Sequence, residues 1–216
     1  MPLVFQDRRD AGRQLAQALK DYAGDPSVLV LALPRGGVPV AYEVARTLHA
    51  PLDIYVVRKL GAPGHRELAM GAIAIGGVRV LNEDVIEALG ISPTVVDFVA
   101  ARELVELERQ QRTYRGDAPF PDLEGRTVIV VDDGLATGST MRAAVRALRH
   151  SKPKQIIIAV PVGAQDTVKN LREEAEVVCL NAPPDFHAVS LWYEDFSQTS
   201  DDEVRSLVGA HASVMS

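Results

Sequence analysis

The chain has 216 residues, 47% of them hydrophobic, and a formal net charge of −6 from 23 Lys+Arg against 29 Asp+Glu. Such a length and apolar content exclude a disordered chain and suffice for a sizeable core within a single domain. The acidic balance speaks against a nucleic-acid partner, which needs a basic surface, but leaves room for a local basic pocket around a small anion.

The opening stretch, MPLVFQDRRDAGRQL, lacks the basic-then-apolar pattern of a signal peptide. From Asp7 to Gly24, the apolar residues Ala11, Leu15, Ala18, Leu19 and Tyr22 recur at helical spacing, and Gly24 is a stop signal. The run Ser27 to Leu33 is continuously apolar, as expected of a strand buried on both faces. It ends in PRGG, after which VPVAYEVARTLH is read as a helix. Leu52 to Arg58 is expected to be a second strand, leading into an irregular, mobile segment, KLGAPGHRELAM. GAIAIGGVRVL is expected to form two short strands around a turn at Gly76-Gly77. A long helix should follow, capped by Ser92 with Pro93 in its first turn, and with Arg109, Arg112 and Arg115 on a solvated face.

Thr127 to Val131 is another buried strand, followed by a helix from about Ser139 to His150. KQIIIAVPV is a strand, AQDTVKNLREEA a helix and EVVCLN a strand. Cys179 is the one cysteine, so no disulfide can form within the chain, and a cytoplasmic location is expected. Cys179 lies in an apolar run and is read as core packing. The tail, VSLWYEDFSQTSDDEVRSLVGAH, holds an aromatic cluster and a terminal helix. No apolar stretch approaches the roughly 20 residues that cross a bilayer, so no membrane partner is expected. Strands alternating with helices imply right-handed crossovers and a mostly parallel sheet.

The strand Thr127–Val131 ends abruptly in Asp132 and Asp133, then Gly134, Leu135, Ala136, Thr137, Gly138, Ser139 and Thr140. Ligands of open parallel sheets sit beyond the carboxyl ends of the strands. The turn GLATGST opens a helix, and its N–H groups, hydroxyls and glycines suit a phosphate. Two carboxylates would repel that phosphate, so they must face something else. A sugar phosphate resolves the conflict, with its phosphate on the turn and its hydroxyls donating to the acids. A nearby Mg²⁺ would offset the remaining negative charge. An acid-tipped strand also serves the NTPases, but the chain lacks G-x-x-x-x-G-K-[ST], and it lacks G-x-G-x-x-G for a dinucleotide. An ordinary polar turn is the remaining reading.

IVVDDGLATGST closely resembles the phosphoribosyl-pyrophosphate motif of type I phosphoribosyltransferases. LPRGG resembles that family's pyrophosphate loop, and VVRKLGAPGHRELAMGAIA its basic pair and flexible catalytic loop. The resemblance implies an α/β fold: a Rossmann-like parallel sheet flanked by helices, with a small antiparallel flap. A C-terminal hood would cover about residues 183–199 of one domain spanning 1–216. It further implies Mg²⁺-dependent transfer of ribose 5-phosphate from phosphoribosyl pyrophosphate to a nucleobase or related nitrogen heterocycle. Asp132 and Asp133 would bind the ribose hydroxyls, directly or through Mg²⁺. Leu135, Ala136, Thr137, Gly138, Ser139 and Thr140 would hold the 5′-phosphate.

By the same resemblance, Arg35, Gly36 and Gly37 would contact pyrophosphate, through a loop that often carries a strained peptide, and Arg58 and Lys59 would add positive charge there. Arg35 and Lys59 join the two acids as catalytic residues. Gly61 to Gly71 would be a lid bringing His65, Arg66 and Glu67 to the site. Trp192, Tyr193 and Phe196 would stack on the base, or pack the tail onto the sheet, and Pro161 to Gly163 would add backbone contacts. A homodimer is implied. A regulator that binds phosphoribosyl pyrophosphate without turning it over is the alternative, and a phosphorylase or hydrolase of a phosphorylated ribose a weaker one.

Overall fold

The computed structural model describes residues 4–215, and the side chains of 65–67, 214 and 215 are outside what it describes. Two apolar runs dominate its centre. β1 (Val28–Ala32) and β6 (Thr127–Val131) are buried at every position, which is why each reads as an unbroken hydrophobic string. They pair in parallel with each other, from Val28 opposite Thr127 to Ala32 opposite Val131. β2 (Leu52–Ile54) adds to the outer edge of β1, while β7 (Gln155–Val162) and β8 (Glu176–Asn181) extend the sheet beyond β6. The order of this five-stranded parallel sheet is β2-β1-β6-β7-β8. The chain therefore leaves β1 toward one side and later returns to its other side through β6. The carboxyl ends of β1 and β6 flank the point where the strand order reverses, and that is where a crevice for a ligand arises.

The helices follow from the 3.6-residue pattern: α1 (Arg8–Ala18), α2 (Gly37–Leu48), α5 (Ser139–Arg149) and α6 (Gln165–Leu171) lie between successive strands of the parallel sheet or before it. α1 crosses α2 so closely that a Cβ on Gly12 would sit 2.6 Å from the Val40 carbonyl oxygen. α1 ends earlier than its apolar pattern, and Lys20–Tyr22 tightens into a 3₁₀ turn. The closing helix, α7 (Asp201–Met215), lies against α2 and β2.

Between β2 and β6 the chain builds a second, three-stranded antiparallel sheet from β3 (Val57–Ala62), β4 (His65–Ala74) and β5 (Arg79–Leu81). This corrects two expectations. Leu52 to Arg58 is not one strand: β2 stops at Ile54, and the chain leaves the parallel sheet through Tyr55 and Val56 to start the flap. Both connecting residues are buried, so the apolar run continues while the backbone changes sheets. The segment expected to be irregular is a hairpin turning at Pro63-Gly64, where Gly64 has φ 76°. Gly76 and Gly77 turn β4 into β5 as expected, with φ of 82° and 75° that only glycine adopts readily. A short helix, α3 (Glu83–Ala88), follows that no sequence signal marked.

α4 (Pro93–Arg115) begins behind Ser92, whose hydroxyl makes no capping hydrogen bond. Arg109 and Arg112 are solvated as expected, but Arg115 is not. Its side chain is 3% exposed and holds Asp53 through Nε at 2.6 Å and Nη2 at 2.8 Å. The same guanidinium covers Phe120 and donates to the Ala118 and Pro119 carbonyls. The last turn of α4 reaches back to β2, which is why this arginine of the three is buried.

Near the chain's end, a 3₁₀ turn at Val189–Trp192 leads into a strand-like pairing of Tyr193 with Phe5. The Phe5 N–H donates to the Trp192 carbonyl at 2.9 Å, and the Glu194 N–H returns to the Phe5 carbonyl at 2.8 Å. Phe5, Ala11, Val162 and Tyr193 form a small second core, joined by Phe186, Val189, Trp192 and Phe196. The hood is thus pinned by the N-terminal segment.

Candidate active site

β6 delivers Asp132 and Asp133 to the reversal point, and two loops close around them. The first is the turn into α5. The Asp133 N–H donates to Asp132 Oδ1 at 2.9 Å, which folds the chain back at the strand end. Leu135 stitches this turn to the end of β7: its N–H donates to the Val162 carbonyl at 2.9 Å, and its own carbonyl accepts from Ala164 at 2.9 Å. Thr167 Oγ1 donates to the Ala136 carbonyl at 2.7 Å. Gly138 precedes the helix with φ 67°, and a Cβ there would sit 2.6 Å from Thr167 Cγ2. Gly138 offers α5 no side-chain cap, and the Thr137 hydroxyl accepts from the Ser139 N–H only at a long 3.4 Å. Thr137 and Ser139 keep their hydroxyls 3.0 Å apart, and Thr137 and Thr140 are exposed. Uncapped N–H groups, a helix dipole and clustered hydroxyls make a seat for an anion.

The second loop follows β1. The Leu33 N–H donates to the Val131 carbonyl at 2.9 Å, so PRGG leaves the sheet directly beside the acids. Its Pro34–Arg35 peptide is cis, at the position where an unusual peptide was expected. A Cβ on Gly36 would fall 2.0 Å from Asp133 Oδ2, and one on Gly37 would fall 2.7 Å from the Val131 carbonyl oxygen. Only glycine lets this loop lie against the acid pair. Arg35 is half exposed, its Nη1 lying 3.5 Å from Asp201 Oδ1, which also accepts from the Tyr114 hydroxyl at 2.8 Å.

The flap contributes unevenly. Arg58 and Lys59 are consecutive in β3 and point to opposite faces. Arg58 is held by Glu103 of α4 through Nε at 3.0 Å and Nη2 at 2.7 Å. Lys59, on the other face, has no ion-pair partner among the described residues. The side chains of His65, Arg66 and Glu67 lie outside the described residues. A cavity of about 270 Å³ separates the flap from α5, lined by Gly71, Ala72 and Leu81 on one side and Ser139, Arg142 and Arg146 on the other.

In the hood, Tyr193 is 6% exposed and donates its hydroxyl to the Asp133 carbonyl at 2.6 Å. It packs at 5.5 Å from Phe5 and 5.1 Å from Phe196, so its ring serves the small core. Trp192 is half-buried beside it, with an indole N–H that finds no acceptor among the described residues. Val189 presses on the acid turn, since a Cβ on Gly134 would meet its Cγ1 at 2.5 Å. Gly163 pairs with Leu135, so the end of β7 supports the turn into α5.

The sequence reading missed Arg8. Its Nε lies 2.8 Å from Asp133 Oδ2, and it is the basic side chain that pairs with the acids among the described residues. One signal was available: Arg8 and Arg9 occupy the first turn of α1, where the helix dipole disfavours cations, so a partner elsewhere was to be sought. The electrostatics follow from this arrangement. Burial, then the neighbouring Asp133 charge, pushes the Asp132 carboxyl well above the usual carboxylate range. Burial raises Asp133 too, opposed by Arg8. A divalent cation would relieve both carboxylates. Two hard oxygen donors beside an anion seat fit Mg²⁺, which binds through one or two carboxylates plus ligand phosphates. Among the described residues no cluster of three or more His, Cys, Asp or Glu forms another metal centre, and no helix is long and apolar enough to cross a membrane.

Comparison with known proteins agrees with this geometry. The phosphoribosyl transferase domain family matches residues 6–194. A Mycobacterium tuberculosis protein, provisionally named a phosphoribosyl transferase, is 50% identical over 202 residues, covering 93% of this chain and 45% of that protein. The chain thus spans less than half the length of this relative. The uracil phosphoribosyltransferase of Caulobacter vibrioides is 30% identical over 171 residues, 76% of this chain and 72% of the enzyme. The crystal structure of TT1426 from Thermus thermophilus superposes with a TM-score of 0.87 at 41% identity, covering 96% of this chain and 98% of that one. With a parallel sheet, an antiparallel flap and a sequence match over most of its length, the chain belongs to the phosphoribosyltransferase family.

Proposed function

We propose that the chain is a Mg²⁺-dependent phosphoribosyltransferase that moves ribose 5-phosphate from phosphoribosyl pyrophosphate to a nucleobase or related nitrogen heterocycle. The observation that carries this reading is the acid pair wedged between an anion seat and a glycine loop at the reversal point of the sheet. The bond from ribose C1 to pyrophosphate breaks, a bond from C1 to the acceptor nitrogen forms, and the acceptor gives up a proton. Positive charge develops on the ring as the leaving group departs.

Each part then has a task. The 5′-phosphate rests on Leu135 to Thr140 at the start of α5, which anchors the sugar and fixes its orientation. Asp132 and Asp133 accept from the ribose hydroxyls, and their negative charge favours the transition state over the bound substrate. The Gly36 N–H, with Arg35 and Lys59, neutralises the departing pyrophosphate, while Gly37, whose own N–H donates to the Leu33 carbonyl at 3.1 Å, lets the loop be approached closely. Arg35 exchanges its contact with Asp201, only 3.5 Å long and half exposed, for phosphate oxygens. Asp132 and Asp133 would hold Mg²⁺, which would supply positive charge to offset the acids and the departing pyrophosphate. The flap hairpin excludes water, and Trp192 and Phe196 border the acceptor.

A retained pyrophosphate loop and a Lys59 with no ion-pair partner among the described residues support catalysis over mere sensing, because a sensor of sugar phosphate alone needs neither. We assign residues 1–216 to one domain with its hood at about 183–199. We further infer a homodimer, supported by Phe98 and Val105, which stand 71% and 69% exposed on α4. A cytoplasmic location suits a chain whose one cysteine cannot form an internal disulfide. The test is pyrophosphate release from phosphoribosyl pyrophosphate with Mg²⁺ across a panel of bases and other amines. Turnover with one acceptor, abolished by Asp133→Asn, supports the enzyme. Tight binding without release across the panel would make the protein a sensor.

A further inference from the structure

Arg8 opens α1, 125 residues from Asp133 in sequence, yet its side chain is only 11% exposed and faces the acid pair. Three further contacts hold it there. Its guanidinium lies 3.9 Å from the centroid of the Phe196 ring. Its Nη1 donates to the Ser197 carbonyl at 2.6 Å. The Gly36 position faces its Nε, where a Cβ would come within 3.3 Å. A helix arginine with no other task would extend into water, where its charge is best solvated. This one is gripped by the hood, the pyrophosphate loop and an acid at once.

The acid pair needs such a partner. Asp132 and Asp133 are adjacent, partly buried and of like charge, and a carboxylate beside another tends to turn away. Arg8 takes Asp133 Oδ2 at 2.8 Å and thereby fixes where Oδ1 stands. Phe196 and Ser197 then decide where the guanidinium stands, because a planar fork stacked on a ring has little freedom.

We infer that Arg8 is a positioning residue for phosphoribosyl-pyrophosphate binding, fixing the Asp133 carboxylate between the pyrophosphate loop and the hood so that its other oxygen meets the ribose. The inference rests on the proposed function. It also ties the hood, where the acceptor sits, to the acids that hold the donor.

The test is a double-mutant cycle, read by calorimetric titration of Mg²⁺ and phosphoribosyl pyrophosphate into four proteins: wild type, Arg8→Gln, Asp133→Asn and the double variant. Arg8→Gln is expected to raise the dissociation constant by about tenfold, a typical coupling for contacting residues. In the Asp133→Asn background the same change is expected to cost less than about twofold, and Arg8→Lys to recover part of the loss. An Arg8→Gln affinity equal to wild type overturns the inference. So does an equal loss in both backgrounds, which would mean that Arg8 touches the ligand itself or merely supports the fold. If Arg8→Gln does not fold, Phe196→Leu removes the stacking while keeping both charges, and unchanged affinity in that variant counts against the idea. A ligand-free crystal structure of Arg8→Gln, or of Phe196→Leu, decides the point independently of the proposed reaction. Asp133 turned away from Gly36 supports it, and Asp133 in its original rotamer refutes it. Failure of the wild-type protein to bind would sink the proposed function, while this structure would still judge Arg8.

Discussion

Gly36→Ala isolates the contact on which the site is built. The backbone at Gly36 is ordinary right-handed helix, φ −60° and ψ −32°, so alanine meets no conformational penalty there. The new methyl carbon, however, would lie 2.0 Å from Asp133 Oδ2 and 2.7 Å from its Cγ, far inside van der Waals contact. Asp133 cannot simply swing aside, because Arg8 Nε holds the same oxygen at 2.8 Å. Either the acid rotates and loses Arg8 or the PRGG loop lifts away from β6. Overpacking of this kind costs about 2 kcal/mol, which lowers the melting temperature by roughly 4–8 °C in a chain of this size. Both escapes also ruin the proposed geometry for ribose and pyrophosphate, so binding of phosphoribosyl pyrophosphate should fall by at least about tenfold. Gly209→Ala is the matched control. It lies in α7 with nothing within 4 Å of an added Cβ, so the better helix former should raise the melting temperature by about 1–4 °C and leave binding alone. Thermal unfolding followed by calorimetry measures both. A Gly36→Ala protein that melts and binds like wild type would refute the claim that the glycine loop lies on the acid.

Other consequences are independent of that contact. Arg115→Ala strands Asp53 without its partner and should cost about 3–5 kcal/mol, read as a lower urea midpoint at an unchanged slope. Tyr193→Phe removes the hydroxyl that anchors the Asp133 carbonyl and should cost about 1–2 kcal/mol in stability while weakening ligand binding; a variant as stable as wild type would contradict the hydrogen bond. Burial pushes the Cys179 thiol up to about 11 from an ordinary 9.0. At pH 8 its thiolate is therefore about a hundredfold scarcer, and maleimide labelling of native protein should be slower than of urea-unfolded protein by about that factor, with equal rates counting against its burial.

What could be read from the sequence followed from locality. β1 and β6 are buried throughout and β7 from Ile157 to Val162, so composition alone marked them. Asp132 to Thr140 is continuous in the chain, and its acids, glycines and hydroxyls could be read together. Arg8 escaped because its partner is brought close by the parallel pairing of β1 with β6 and by the tail folding back on Phe5, neither of which leaves a local mark. The change of sheet after Ile54 escaped because Tyr55 and Val56 stay buried on both sides of it. Arg115 escaped because its spacing from Arg109 and Arg112 carries no information about where α4 ends. Consecutive Arg58 and Lys59 looked like one basic pair, and only their place in a strand separates them onto two faces.

The most direct test of the central claim is a crystal structure of the protein with phosphoribosyl pyrophosphate and Mg²⁺. The account predicts the ribose hydroxyls against Asp132 and Asp133, the 5′-phosphate on Leu135 to Thr140, and the pyrophosphate over Gly36 and Gly37. Ligand bound elsewhere, or density absent from this crevice at saturating concentration, would contradict it.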